Sequence, residues 1–151
     1  MSFSPFSFQM SLSVYIAAPS ERVWMLIDDA NHWSQWSGVV EQVWKAPGYL
    51  DWQPGIKFGF RLLMARKKVP FNVTVTRYEP GKLIQWRSTK FSITAVRSIS
   101  VEPDGTGCRV VDQKYFFSSV LPIRLAYPRR LIRVMTERWL GDIKNSAEMF
   151  P

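Results

Sequence analysis

The spacing of apolar residues changes once along this chain, and that change limits the fold more than any single motif. From Phe8 the apolar side chains recur at every second position: Phe8, Met10, Leu12, Val14 and Ile16 share one phase. Beyond a turn at Pro54-Gly55 the same holds for Ile56, Phe58, Phe60, Leu62 and Met64, then for Phe71, Val73 and Val75. Period two describes a strand with one buried face. Near Pro128 the period lengthens. Ile132, Met135, Trp139, Ile143, Ser146 and Phe150 stand 3, 4, 4, 3 and 4 residues apart, the stripe of an amphipathic helix.

The intervening segments fit this plan. Pro19 ends the first strand and suits the first turn of a helix, which Val23, Trp24, Leu26 and Ile27 would bury. Trp33 and Trp36, three apart, predict a second short helix. Val39, Glu41, Val43 and Lys45 alternate with Val40, Gln42 and Trp44. Glu79-Pro80-Gly81 and Glu102-Pro103-Asp104-Gly105-Thr106-Gly107 are turn signals between three further strands, the last running from Arg109 to Ser118. A helix over 128–149 spans about 30 Å at 1.5 Å per residue. That matches a ten-residue strand at about 3.3 Å each. An antiparallel meander with one apolar face needs a cover, and this helix is the one element long enough. The expected fold is therefore α+β. A curved antiparallel sheet of six or seven strands wraps the C-terminal helix, and two short helices close one end of a cup. At 151 residues, 46% hydrophobic and 15% aromatic, one domain over 1–151 can bury its core without metal or disulfide.

Several segments resemble known ones. Ile16-Ala17-Ala18-Pro19-Ser20-Glu21-Arg22-Val23-Trp24 with Trp33-Ser34-Gln35-Trp36 resembles the opening of the SRPBCC superfamily. Gly55-Ile56-Lys57-Phe58, the hairpin Tyr78 to Trp86, the turn Ile99 to Cys108 and the closing Leu140 to Glu148 are similar to its later motifs, in register over residues 8–150. Cys108 stands where that superfamily often has Thr. The resemblance implies the helix-grip fold of polyketide cyclase/dehydrase-like, START-like and Bet v 1-like proteins. Because its motifs mostly build the fold, it implies no single function.

A cup with apolar walls and a few placed polar groups is a ligand site. The candidate ligand-binding residues are Phe58, Phe60, Leu62, Phe71, Val73, Trp86, Arg97, Met135 and Trp139; whether the aromatic ones line a cavity or fill it stays open. Arg97 lies in phase with Ile93, Ala95, Ile99 and Val101, the inward set. It must pair, reach a cavity or snorkel at the rim, because an unpaired buried charge is very costly. Asp112 and Lys114, in phase with Val110 and Phe116, could either of them face Arg97 across the hairpin, with a register uncertain by one residue. The favoured function is binding of a small, largely apolar ligand. The alternatives are a polyketide cyclase or dehydratase using Arg97, Asp112, Tyr115 and His32, or a lipid-transfer or membrane-docking protein. His32 reads as a surface residue at a helix end, and Cys108 as a small buried strand residue.

One cysteine and one histidine exclude a disulfide framework and the usual zinc sites, so no metal and no cofactor are expected. No basic residue precedes Arg22 and no long apolar stretch opens the chain, which predicts a cytoplasmic protein without a secretory signal. The net charge of +8 gathers in two clusters. Arg66-Lys67-Lys68 suits a solvated loop between strands. Arg124, Arg129, Arg130 and Arg133, beside Leu121, suit peripheral contact with an anionic membrane. Nucleic acid is not expected, since the aromatic residues fall in the buried phase and no nucleic-acid-binding motif appears. Solubility is the default account of the charge, and the sequence leaves the oligomeric state unknown.

Overall fold

The computed structural model of the protein describes residues 6–90, 92–118 and 128–149. Strand β1 (Phe6–Ile16) leads into helix α1 (Ser20–Asp28), a single 3-10 turn (Ala30–His32) and a one-turn helix α2 (Trp33–Trp36). Six strands follow: β2 (Val40–Trp44), β3 (Lys57–Met64), β4 (Lys67–Glu79), β5 (Leu83–Lys90), β6 (Ile93–Asp104) and β7 (Gly107–Ser118). Helix α3 (Arg129–Glu148) closes the chain. The strands form one antiparallel sheet in the order β1-β7-β6-β5-β4-β3-β2. Six strands are thus a plain meander, and β1 is added beside the last of them. This is the curved sheet around a long C-terminal helix that the change of period predicts, and the helix-grip fold that the resemblance implies.

Turn chemistry sets the hairpins. Ala65 and Arg66 join β3 to β4 with φ of 46° and 73°. A two-residue link with both residues left-handed matches the twist of the strands it joins. The basic run 66–68 is therefore not a loop: only Arg66 lies in the turn. Lys67 and Lys68 begin β4, where Lys68 Nζ reaches Glu41 at 3.3 Å. Between β6 and β7 the link is Gly105-Thr106, in which Gly105 alone takes a positive φ, 61°. Strand β2 also departs from its expected alternation. The register shifts between Val40 and Gln42, so Val39 and Val40 are both buried. A bulge leaves two residues opposite one and breaks the period.

The core is built where the cup is closed. Trp33, 1% exposed, sits at its centre. Its ring lies 5.3 Å from Trp139, 5.8 Å from Trp86 and 6.0 Å from Phe58, the Trp139 and Phe58 contacts edge-to-face. Such pairs add about 0.5–1.5 kcal/mol each beyond the area they bury. Asp28 pins the long link between β2 and β3. Fully buried, it accepts Leu50 N–H at 2.7 Å and the Tyr78 hydroxyl, while its carbonyl accepts Trp52 Nε1 at 2.8 Å. Burial, with the Asp28 carboxylate beside it, pushes the Tyr78 hydroxyl far above the ordinary tyrosine range.

Helix α3 is held at its C-terminal half. Asp142 accepts Gly38 N–H at 2.8 Å, Glu148 accepts Ala17 N–H at 3.3 Å, and Lys144 Nζ donates to Tyr15 O at 2.9 Å. Its buried residues are Thr136, Trp139, Leu140, Ile143 and Ala147. Of the expected stripe, Trp139 and Ile143 are buried, whereas Ile132, Met135 and Ser146 are half-buried and Phe150 lies outside the described residues. The helix packs tightly at one end and stands off the sheet at the other.

Candidate functional site

The stand-off leaves a cavity of about 500 Å³ between the concave face of the sheet and the first turns of α3. Strands β3 and β4 contribute Phe60, Leu62, Val69 and Phe71 to its wall. Strand β5 adds Trp86 and Ser88, and β6 adds Ile93 and Ala95. Leu131, Ile132 and Met135 of α3 face them. The volume falls within the roughly 300–1,000 Å³ of small-molecule sites, and the lining is mostly apolar as such sites require.

Of the nine residues singled out from sequence, Phe60, Leu62, Phe71, Trp86, Arg97 and Met135 line this cavity. Phe58, Val73 and Trp139 do not. They point to the same side of the sheet but lie at the closed end, at most 3% exposed. There the rings of Phe58 and Trp139 pack on Trp33. The aromatic residues therefore do both things left open by the sequence: they fill one half of the cup and line the other.

The polar part of the site comes from β6 and β7. Arg97 stands directly opposite Lys114, with Asp112 on the diagonal, and all three side chains face inward. Arg97 donates to Asp112 twice, Nε to Oδ1 at 3.1 Å and Nη2 to Oδ2 at 2.7 Å. Its guanidinium also lies 4.9 Å from the Trp139 ring and 5.4 Å from Trp86. The bidentate pair answers the question that Arg97 posed: it is partnered and it reaches the cavity. Asp112 is fully buried. Burial alone would raise its carboxyl, but the charges of Arg97 and Lys114, with the Arg97 hydrogen bonds, hold it below the ordinary carboxylate range.

Lys114 was not among the nine, although it lines the cavity. Its Nζ donates to Thr136 Oγ1 on α3, and that hydroxyl donates onward to Ile132 O at 2.7 Å. Asp112 Oδ2 lies 4.0 Å away. Burial pushes the Lys114 ammonium down to about 7, with Asp112 opposing the shift and Arg97 adding to it. The signal in the sequence was two charges, Asp112 and Lys114, in the apolar phase of an inner strand.

The remaining candidates are elsewhere. Tyr115 is on the convex face, 38% exposed, and His32 is an exposed residue whose Nδ1 lies 2.6 Å from Asp29 Oδ2. Cys108 is a buried strand residue whose thiol burial pushes up. In the basic cluster at the start of α3, the Arg129 guanidinium lies over the Phe8 ring at 4.8 Å and Arg133 pairs with Glu137 at 3.1 Å. Arg130 is exposed in the same turn, and Leu121 and Arg124 lie outside the described residues. Among the described residues no helix is long and apolar enough to cross a membrane.

A family model described as polyketide cyclase/dehydrase and lipid transport matches residues 7–148. The chain belongs to that family. The match agrees with the SRPBCC resemblance, and the family's fold recurs in proteins of low sequence identity. A START superfamily protein from Mycobacterium smegmatis superposes with a TM-score of 0.76 at 16% identity, covering 95% of this chain and 99% of the other. The ginseng major latex-like protein 151 from Panax ginseng gives 0.78 at 9% identity, covering 93% and 97%. The Zhui aromatase/cyclase from Streptomyces sp. R1128 gives 0.75 at 13% identity, covering 95% and 94%. No curated protein sequence matches the chain. At these identities the neighbours establish the fold alone.

Proposed function

We propose that the protein binds one small, largely apolar ligand that carries a polar end. The reading rests on one observation: the cavity wall is largely apolar, and on its floor Arg97 and Lys114 stand beside a carboxylate already engaged by Arg97, with Ser88, Lys67 and Lys90 as further polar lining. Apolar burial supplies affinity at about 25 cal/mol per Å² removed from water, less the cost of association. The floor supplies orientation, because a carbonyl or carboxylate oxygen placed there meets donors that bulk water would otherwise serve. A family that unites cyclases with lipid transport supports the same kind of ligand.

The test compares 2-undecanone with n-undecane as competitors for an apolar fluorescent dye held in the cavity. Wild type binds the ketone more tightly than the hydrocarbon. Arg97→Ala narrows that gap, whereas Ala95→Trp, which puts an indole into the cavity, weakens both. An equal loss for both competitors in Arg97→Ala removes the orienting role, and dye binding untouched by Ala95→Trp removes the site.

A further inference from the structure

We propose that Lys114 is a reactive amine that captures aldehydes and ketones entering the cavity, forming an imine through its Nζ. The proposal rests on the cavity being a ligand site and adds a covalent chemistry to it.

Three features of the floor carry the inference. The first is placement: Lys114 reaches the cavity wall from the concave face of β7, and its side chain is only 13% exposed. The second is the charge count. Arg97 from β6, Asp112 from its own strand, Thr136 from α3 and Met10 opposite it on β1 surround the ammonium. Two cations thus share one carboxylate, and that carboxylate takes both its short contacts from Arg97. A surplus positive charge in apolar surroundings is relieved by losing a proton. Arginine does not give one up in proteins and lysine does. The amine therefore reaches its neutral, nucleophilic form near pH 7, consistent with the ammonium being pushed down to about 7. A lysine desolvated beside another cation is a known route to an activated amine.

The third feature is orientation. The Thr136 hydroxyl spends its hydrogen on Ile132 O, so it is an acceptor toward Lys114 and fixes one N–H of the amine. Arg97 uses Nε and Nη2 on Asp112, which leaves Nη1 to polarise a carbonyl oxygen.

The chemistry balances without any other reactant. The Nζ lone pair adds to the carbonyl carbon while the carbonyl oxygen takes up a proton. The carbinolamine then loses that oxygen as water, giving C=N. One carbonyl and one primary amine become one imine and one water, with no change of oxidation state. Ligands of this class have an apolar body and an unhindered aldehyde or ketone.

The experiment uses the full chain with nonanal and borohydride, read by intact mass and peptide mapping, with dye displacement run in parallel. The expected result at pH 7.5 is one reduced adduct per chain, on the peptide carrying Lys114. It forms more than about tenfold faster than adducts at exposed lysines such as Lys57 and Lys82. The rate falls as pH drops below about 7. Lys114→Met loses that adduct while still releasing dye to nonanal. Displacement of dye without an adduct, or an adduct pattern identical in Lys114→Met, overturns the reactive amine and leaves the binding site standing. Neither displacement nor adduct overturns both.

Discussion

Replacing Asp112 by Asn removes one charge and almost no volume from the floor of the cup. Asp112 is fully buried, accepts two hydrogen bonds from Arg97 at 3.1 and 2.7 Å, and lies 4.0 Å from Lys114. Its amide replacement leaves Arg97 with no counterion in surroundings that include two tryptophan rings. Removing one partner of a buried pair costs about 3–5 kcal/mol, mostly for the charge left behind. In a domain of 151 residues each kcal/mol moves Tm by roughly 2–4 °C, so Tm falls by roughly 6–20 °C. Circular dichroism melts and urea titrations at pH 7 measure this, with an unchanged urea slope indicating that the native surface is intact. The paired variant Arg97→Met/Asp112→Leu removes both charges for apolar groups and recovers to within about 1–2 kcal/mol of wild type, since such exchanges are often neutral or stabilising. A loss below about 1 kcal/mol in Asp112→Asn, or a double variant worse than the single one, would refute the reasoning that this carboxylate holds a buried cation.

Two further outcomes follow from the same structure. An unfolded lysine titrates near ~10.4, whereas Lys114 in the fold titrates near about 7. Between those values the unfolded chain holds the extra proton, so this group makes wild type gain stability as pH rises and imposes its full cost at pH 7 and below. Lys114→Met therefore raises the unfolding free energy from urea titration at pH 6 by roughly a few kcal/mol, and the advantage shrinks at pH 9; an equal gap at both pH values contradicts a perturbed amine. Among glycines, Gly141→Ala in α3 stabilises by about 0.5–1 kcal/mol, because a Cβ there meets nothing within 4 Å. Gly107→Ala costs about 1–3 kcal/mol, because its Cβ would stand 2.3 Å from Ile16 O, a backbone atom of the neighbouring strand. Thermal melts that rank the two alike would contradict this.

The strands and the long helix were legible because each carries its own period, and the short helices because Pro19 and the Trp33–Trp36 pair mark them. What the pattern could not supply was position along a face. Phe58 and Phe60 share a phase and are both buried in the core, yet only Phe60 also lines the cavity, toward the end where α3 departs from the sheet. That departure depends on contacts from other parts of the chain: Asp142 to Gly38, and Glu148 to Ala17. Period two also leaves a strand free to slip. Arg97 could be seen to need a partner, but which of Asp112 and Lys114 it met was settled only by the pairing of β6 with β7. Lys114 was not among the candidates because the register of the strand 109–118, uncertain by one residue, left open whether its side chain faces the cavity. Its hydrogen-bond acceptor, Thr136, lies 22 residues further on, in α3.

The order of the sheet also bears on how the chain reaches its shape. Strands β2 to β7 pair with their neighbours in sequence, so each hairpin can form soon after its second strand exists. Strand β1 is different: Ile16 pairs with Cys108, and the whole of β1 lies against β7. At synthesis rates of roughly 5–20 residues per second, the wait between completing β1 and beginning β7 is roughly 5–20 s. For that interval an alternating strand is made and its lasting partner is not, and α3, which latches onto Tyr15 and Ala17, comes later still. Long-range pairing of this kind slows folding and leaves strand edges open to other chains. The step that closes the cup is thus the last to become possible, and the cavity exists only once the two ends of the protein have found each other.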